Sequence, residues 1–185
     1  MGLTRAFLCI EFPDNVIKEI ARVQEIVRKK KFTGKVTELE NLHLTLKFFG
    51  EIEEFILKEI RERLKRVKFE QMDLKLGRIG LFSHNKNPRI IWIKVEGKGV
   101  WELQEKVDDV LADLFKKEER FMSHLTIARV KYVKDKDDFL DYIRNIRIRD
   151  IEFKVNRFKL KRSELGVLGP VYTDIEEYVS EDIVK

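Results

Sequence analysis

One order of patterns runs through this chain twice, and that repetition limits the fold more than any other feature. Arg5-Ala6-Phe7-Leu8-Cys9-Ile10-Glu11-Phe12 is a short apolar run ended by Pro13, and Asp14 is placed to cap the helix that follows. That helix has an apolar face of Val16, Ile17, Ile20, Ala21, Val23, Ile26 and Val27, and it breaks by Gly34. Leu42 to Phe49 alternates like a strand and closes at Gly50; a helix with Phe55, Ile56, Ile60 and Leu64 follows, then a strand over 67–76. The second half repeats the order: a strand over 89–95, a helix faced by Val100, Leu103, Val107, Val110, Leu111 and Leu114, and an alternating strand over 123–130. A charged helix over 136–144 and strands within 146–160 complete it. Helices with one apolar face need a sheet to bury it against. The expected fold is therefore α+β: two pseudo-symmetric lobes, each an antiparallel-rich sheet with helices on its outer face, and a groove between them. Residues 1–185 are expected to form one two-lobed domain, with repeat halves at about 4–80 and 89–163 and a last strand at about 171–178.

Composition agrees with a single folded unit. The 185 residues are 43% hydrophobic and 38% charged, above the roughly 25% charge of an average soluble domain. Nine Gly, three Pro and no Ser/Gly tract leave no room for a long linker. The net charge of +5 is mild and interspersed, which permits an anionic ligand without requiring one. A lone cysteine, Cys9, excludes an internal disulfide and reads as a buried core thiol in a reducing compartment. No apolar run reaches a membrane span and no signal-peptide pattern opens the chain, so a cytoplasmic protein with no membrane partner is expected. Few Gln beside abundant Lys and Glu resembles the composition of heat-adapted proteins.

The repeat also carries chemistry. Each half has His-apolar-Thr-apolar in its second strand: His43-Leu44-Thr45-Leu46 and His124-Leu125-Thr126-Ile127. With three His and six Thr in the chain, two such pairs at equivalent places are hard to reach by chance. One His in a strand is more often structural than catalytic; two matched copies reverse that reading. Strand alternation puts His43 and Thr45 on one face, about 7 Å apart, and does the same for His124 and Thr126. If the lobes bring these strands together, two imidazoles and two hydroxyls converge on one groove. One imidazole can take a proton while the other gives one, because histidine titrates near pH 6.5 unperturbed, and the hydroxyls can hold phosphate oxygens. That set suits a phosphodiester. It is a poor metal set, since no carboxylate or cysteine recurs beside the histidines, and no metal or other cofactor is expected. His84, in the polar stretch 82–88, has no matching Thr and reads as a surface residue.

The two tetrapeptides resemble the signature of the two-histidine phosphoesterase superfamily. Within it, Arg5-Ala6-Phe7, the stretch from Glu40 to Gly50, Pro88 to Trp92, Phe121 to Arg129, Ser163-Glu164-Leu165 and Gly169 to Tyr172 look like the RNA 2′,3′-cyclic phosphodiesterase branch, also named 2′-5′ RNA ligase. The match runs in order over nearly the whole chain, with Ser123 where the family has proline before the second histidine. The resemblance implies metal-free hydrolysis of a terminal 2′,3′-cyclic phosphate on RNA, tRNA-derived ends included, to a 2′-phosphomonoester, with reversible 2′-5′ ligation. It makes His43 the proton donor, His124 the proton acceptor, and Thr45 and Thr126 the phosphate anchors. The residues by themselves leave the order of the two histidines open.

Candidates for holding the rest of the substrate are Arg129, Lys47, Arg5 and Arg89, with Phe49, Trp92 and Tyr132 as aromatic surfaces for unstacked bases. Strict alternation would put Arg129 on the face opposite His124, so it needs a bulge or strand end to help. Phe49 and Trp92 read first as core, and the basic run over 28–31 as a solvated helix end. The expected partner is RNA with a cyclic phosphate end, acted on by a monomer. Two other readings stay open: a module that binds RNA ends with little activity, and a phosphodiesterase for small cyclic nucleotides.

Overall fold

The computed structural model describes residues 2–167 and 169–183. Its elements run β1 (Thr4–Ile10), α1 (Asp14–Lys29), β2 (Thr33–Val36), β3 (Leu44–Ile52), α2 (Glu54–Leu64), β4 (Met72–His84), β5 (Asn87–Glu96) and α3 (Lys98–Val110). They continue with β6 (His124–Tyr132), α4 (Lys136–Arg144), β7 (Glu152–Val155), β8 (Arg157–Gly166) and β9 (Gly169–Val179). The helices form where apolar residues recur at three- and four-residue spacing. Their stripes are buried: Val16, Ile20, Val23 and Val27 on α1; Leu57, Ile60 and Leu64 on α2; Val100, Leu103 and Val107 on α3; Phe139 and Ile143 on α4. They meet one face of the sheet, represented by Ala6, Leu8, Ile10, Leu44, Leu46, Ile91, Ile93, Leu125 and Ile127. Each fully buried side chain of this kind is worth about 1.5–3 kcal/mol, which makes this face the source of stability and frees the other for chemistry.

Three local expectations are corrected. Pro13, not Asp14, is the N-cap of α1; Asp14 is the first helical residue, where its charge suits the helix dipole. The strand expected over 67–76 begins at Met72 and runs on to His84. Val67 and Phe69 are buried without pairing in a strand, while Gly77, Arg78 and Gly80 hide the later part from any apolar pattern. Within 146–160, only β7 and the start of β8 are strand; the segment after α4 packs Ile146 into the core instead. β2 has no apolar pattern at all. It depends on Gly34, where a Cβ would run into the Arg129 carbonyl oxygen of β6.

All strands pair antiparallel in one sheet of order β7-β4-β5-β6-β3-β1-β8-β9, with β2 pairing β6 beyond the point where β3 leaves it. A pseudo-dyad between β6 and β3 relates β5 to β1, β4 to β8 and β7 to β9. The two lobes are present, but they are not the two halves of the chain. β4 from the first half lies beside β5, and β8 from the second lies beside β1. A two-residue turn enforces the first exchange: Asn85 and Lys86 have φ of 49° and 62°, the left-handed geometry that folds β4 straight back onto β5. His84 is exposed at that turn. No helix among the described residues is long and apolar enough to cross a membrane.

Candidate active site

Among the described residues β3 and β6 pair through one bridge, Leu44 opposite Leu125. Beyond it the strands part. Thr37 and β2 take over the pairing to β6, with the Thr37 amide donating to the Ile127 carbonyl at 2.9 Å, so a cleft opens between β3 and β6. Antiparallel register around the bridge sets His43 across from Thr126 and Thr45 across from His124. The four side chains form a square on the face away from the helices. All four line one cavity of about 820 Å³.

Both imidazoles are held the same way. His43 Nδ1 lies 2.8 Å from the Asn41 carbonyl oxygen and His124 Nδ1 lies 2.6 Å from that of Met122, each two residues back. A carbonyl only accepts, so each Nδ1 carries hydrogen and each Nε2 is the nitrogen left for a ligand. A neutral ring then presents a bare base, and a protonated ring presents an acid.

A matched irregularity follows each threonine. In β1–β3 the register steps from Cys9↔Thr45 to Leu8↔Lys47, leaving Leu46 extra; in β5–β6 it steps from Trp92↔Thr126 to Ile91↔Ala128, leaving Ile127 extra. Each bulge turns two successive residues toward the helices and brings the next one back to the cleft. Those returning residues are Phe48 and Arg129, both in the cavity wall. The bulge is the device that Arg129 needed.

Lys47, by contrast, is removed from the candidate substrate contacts. It is buried on the helix side, with Nζ 2.5 Å from Asp108 Oδ1 and 2.8 Å from the Lys116 carbonyl oxygen. Asp108 also accepts from Gln104 Nε2 and the Glu118 amide. Burial pushes the Asp108 carboxyl up, and these bonds, led by Lys47, outweigh it and hold it below its ordinary range. Behind the other bulge stands a neutral counterpart: buried Gln24 of α1 donates to the carbonyl oxygens of Thr37 and Ile127 at 2.8 and 2.9 Å.

The surroundings of the two histidines differ. His43 sits against Phe7 (4.9 Å between ring centroids) and Tyr172 (5.4 Å), which also pack on each other. Desolvation in this box lowers the His43 pKa; the bond to Asn41 opposes that, and the positive charge of Lys161 adds to it. Lys161 and Lys159 each pair with both Glu11 and Asp174 at 2.5–2.9 Å, a four-charge block on the adjoining strands. Cys9 faces this block from β1, and burial pushes its thiol up to about 12, so it is an inert core thiol. His124 meets Phe82 edge-on at 5.2 Å and lies 6.3 Å from Trp92.

Of the remaining candidates, Arg5 lines the cavity, its guanidinium 4.8 Å over the exposed Phe48 ring. Arg89 lies outside the cavity wall and donates to the Lys131 carbonyl at 3.2 Å, so it is withdrawn as a substrate contact. Phe49 is core, against Phe115. Trp92 is buried on the cleft face, and Tyr132 is exposed outside the cavity. Phe48, Phe7 and Tyr172 were missed as site residues, although all three stand inside motifs that carry the family resemblance. Among the described residues, no three His, Cys, Asp or Glu side chains gather as a metal site.

Known proteins are similar to this chain in sequence and in fold. The family model described as LigT like Phosphoesterase matches residues 10–92 and again 94–172. A Methanocaldococcus jannaschii protein named RNA 2′,3′-cyclic phosphodiesterase is 38% identical over 176 residues, covering 94% of this chain and 99% of its own length. A Thermotoga maritima protein of the same name is 36% identical, covering 94% of each. A crystal structure of a Thermus thermophilus protein superposes with a TM-score of 0.79 at 27% identity, covering 96% of this chain and 99% of the other. E. coli LigT in its apo form superposes at 0.75 and 20% identity over 97% and 99%, a likeness of fold alone. With the model matched twice in succession and relatives above 30% identity along nearly their whole length, this chain belongs to the LigT-like phosphoesterase family.

Proposed function

We propose that the protein hydrolyses 2′,3′-cyclic phosphate ends of RNA to 2′-phosphomonoesters, without a metal, through His43 and His124. The observation that carries this reading is the square of His43, Thr126, Thr45 and His124 with both Nδ1 atoms engaged by backbone carbonyls. Relatives that match 94% of the chain bear the corresponding name.

In the proposed reaction His124 Nε2 accepts a proton from water as its oxygen attacks phosphorus. The bond from phosphorus to O3′ breaks, and His43 Nε2 delivers its proton to the departing O3′. The phosphate stays on O2′. Thr45 and Thr126 hydroxyls donate to the non-bridging oxygens, and Arg129 offsets the charge that grows there. The low proton affinity of His43 in the free protein fits a donor loaded by its substrate. The phosphodiester anion supplies the opposite charge that its aromatic box lacks, and a weakly basic imidazole then releases its proton readily. A 5′-hydroxyl in place of water would give 2′-5′ ligation by the same groups.

The test is a short RNA with a 2′,3′-cyclic phosphate, incubated with protein and chelator, followed by assignment of the product phosphate. A 2′-phosphate supports the reading. A 3′-phosphate, or activity abolished by chelator and restored by one divalent ion, overturns it.

A further inference from the structure

Past the phosphodiester cavity lies a second groove of about 730 Å³, between the end of α1, β2 and the end of β6. Five cations line it, Arg28, Lys30, Lys31, Lys35 and Lys134, and no carboxylate does. Lys35 and Val36 line this groove and the histidine cavity alike, so β2 is a shared wall and the two spaces adjoin.

Helix termination explains only part of this charge. Arg28 and Lys29 stand in the last turn of α1, where cations suit the helix dipole, and Lys30 is paired with Asp138 and lies over the Tyr142 ring. Lys31 lies past the helix and Lys134 past β6, and neither has a carboxylate partner among the described residues. Beside them the Tyr132 ring is 64% exposed, although Tyr132 ends a strand whose other large apolar side chains are buried. Cations along a groove with an open aromatic face are what sequence-independent binding of a single strand requires: the cations track phosphates and the ring stacks on an unpaired base.

Position relates the groove to the reacting end. Lys35 pairs with Arg129 across β2–β6, and Thr33 pairs with Tyr132. From Thr126 to Tyr132 the strand advances about 20 Å, a path several nucleotides long.

We propose that this groove is a second binding site, for the phosphate backbone of the RNA strand leading to the reacting end, with Tyr132 stacking on one of its bases. The inference rests on the phosphodiesterase reading of the histidine site and adds to it a course for the strand, and with it a preference for an oligonucleotide over a cyclic mononucleotide.

The test compares a nucleoside 2′,3′-cyclic phosphate with an eight-nucleotide RNA carrying the same end, on wild type, on Lys31→Glu/Lys134→Glu and on Tyr132→Ala. Wild type should favour the oligomer in kcat/KM. Both variants should lose about 5- to 10-fold on the oligomer and keep wild-type rates on the mononucleotide. The double variant should also flatten the plot of log KM against log salt for the oligomer by about 1.4, at roughly 0.7 per single-strand phosphate contact. Lys98→Glu/Lys154→Glu, a matched charge change on α3 and β7, should leave the oligomer preference in place. Equal losses on both substrates, no loss on the oligomer, or the same loss in the matched control would overturn the proposal. If wild type turns over neither substrate, the hydrolysis reading falls instead. The groove is then judged by fluorescence anisotropy of a labelled eight-nucleotide RNA, and equal affinity of wild type and the Lys31/Lys134 variant rejects it.

Discussion

β3, which His43 immediately precedes, and β6, which His124 opens, share a backbone course and differ in what surrounds it. Both histidines hold a carbonyl two residues back, both are followed by Thr, and both strands bulge one residue later. After the bulge one strand presents an aromatic ring, Phe48, and the other a cation, Arg129. One bulge is backed by a buried ion pair, Lys47–Asp108, and the other by a buried amide, Gln24. One imidazole stands in an aromatic box beside a four-charge block, and the other against Phe82 and Trp92. Symmetry supplies two equivalent proton carriers. In the proposed reaction the departures from symmetry are what let one give while the other takes, and one side hold a base while the other holds phosphate.

The comparison breaks first at the histidines. His43→Ala and His124→Ala should each lower kcat by about 10²- to 10⁴-fold while RNA binding, measured separately, survives. Loss of binding in step with turnover would make the square a grip instead of a catalyst. Next come the two bulge supports. Lys47→Met leaves Asp108 buried without its cation and should cost about 3–5 kcal/mol in denaturant unfolding, with Lys47→Met/Asp108→Leu recovering much of it. Gln24→Leu takes the side-chain donor from the Thr37 carbonyl and leaves the Ile127 carbonyl with the Thr37 amide alone, and should cost about 1–3 kcal/mol. Equal costs would mean that the ion pair is no more than a large hydrogen bond.

The residues that return to the cleft should separate by kinetic parameter. Arg129→Ala should lower kcat by about 10- to 100-fold, as loss of a charged hydrogen bond in the transition state. Phe48→Ala should raise KM about 10-fold with kcat nearly kept, as loss of one stacking surface. Interchanged effects would reverse the assignment of the two sides.

Acidity offers a finer test. His43 must be protonated to donate, and its pKa in the free protein lies below the usual 6.5. The alkaline limb of kcat/KM should therefore fall below pH 6.5, and that of kcat, which reports the substrate complex, should lie higher. If an acidic limb occupies that place instead, His43 is the base. The smallest effect belongs to Ser123, fully buried before the second histidine with a hydroxyl that finds no partner among the described residues. Ser123→Ala should stabilise by about 1 kcal/mol in thermal unfolding and leave turnover alone.

Periodicity carried the helices and the His/Thr strands because their local pattern and their burial agree. It failed where burial comes from partners distant in sequence. β2 is a largely exposed strand held mainly by pairing to β6 at Gly34, and β4 runs through Gly77, Arg78 and Gly80, which have no apolar rhythm. The square of His and Thr was legible because strand alternation is local. Phe48, Arg129 and Lys47 depend on a bulge, which inverts facing without any mark in composition. The exchange of third strands was equally hidden, since two halves of like pattern do not say which lobe each strand joins.

That exchange has a consequence for how the protein is made. β1 leaves the ribosome first, but its neighbour β8 is among the last strands to emerge, and β6, which carries the second histidine, comes between them. A nascent chain ending at the Asn85-Lys86 turn would hold His43 facing nothing and β1 with one edge bare. A truncated product would therefore be both catalytically silent and prone to pair its open edge with another chain. The cleft is therefore complete only once β6 and β8 have both emerged.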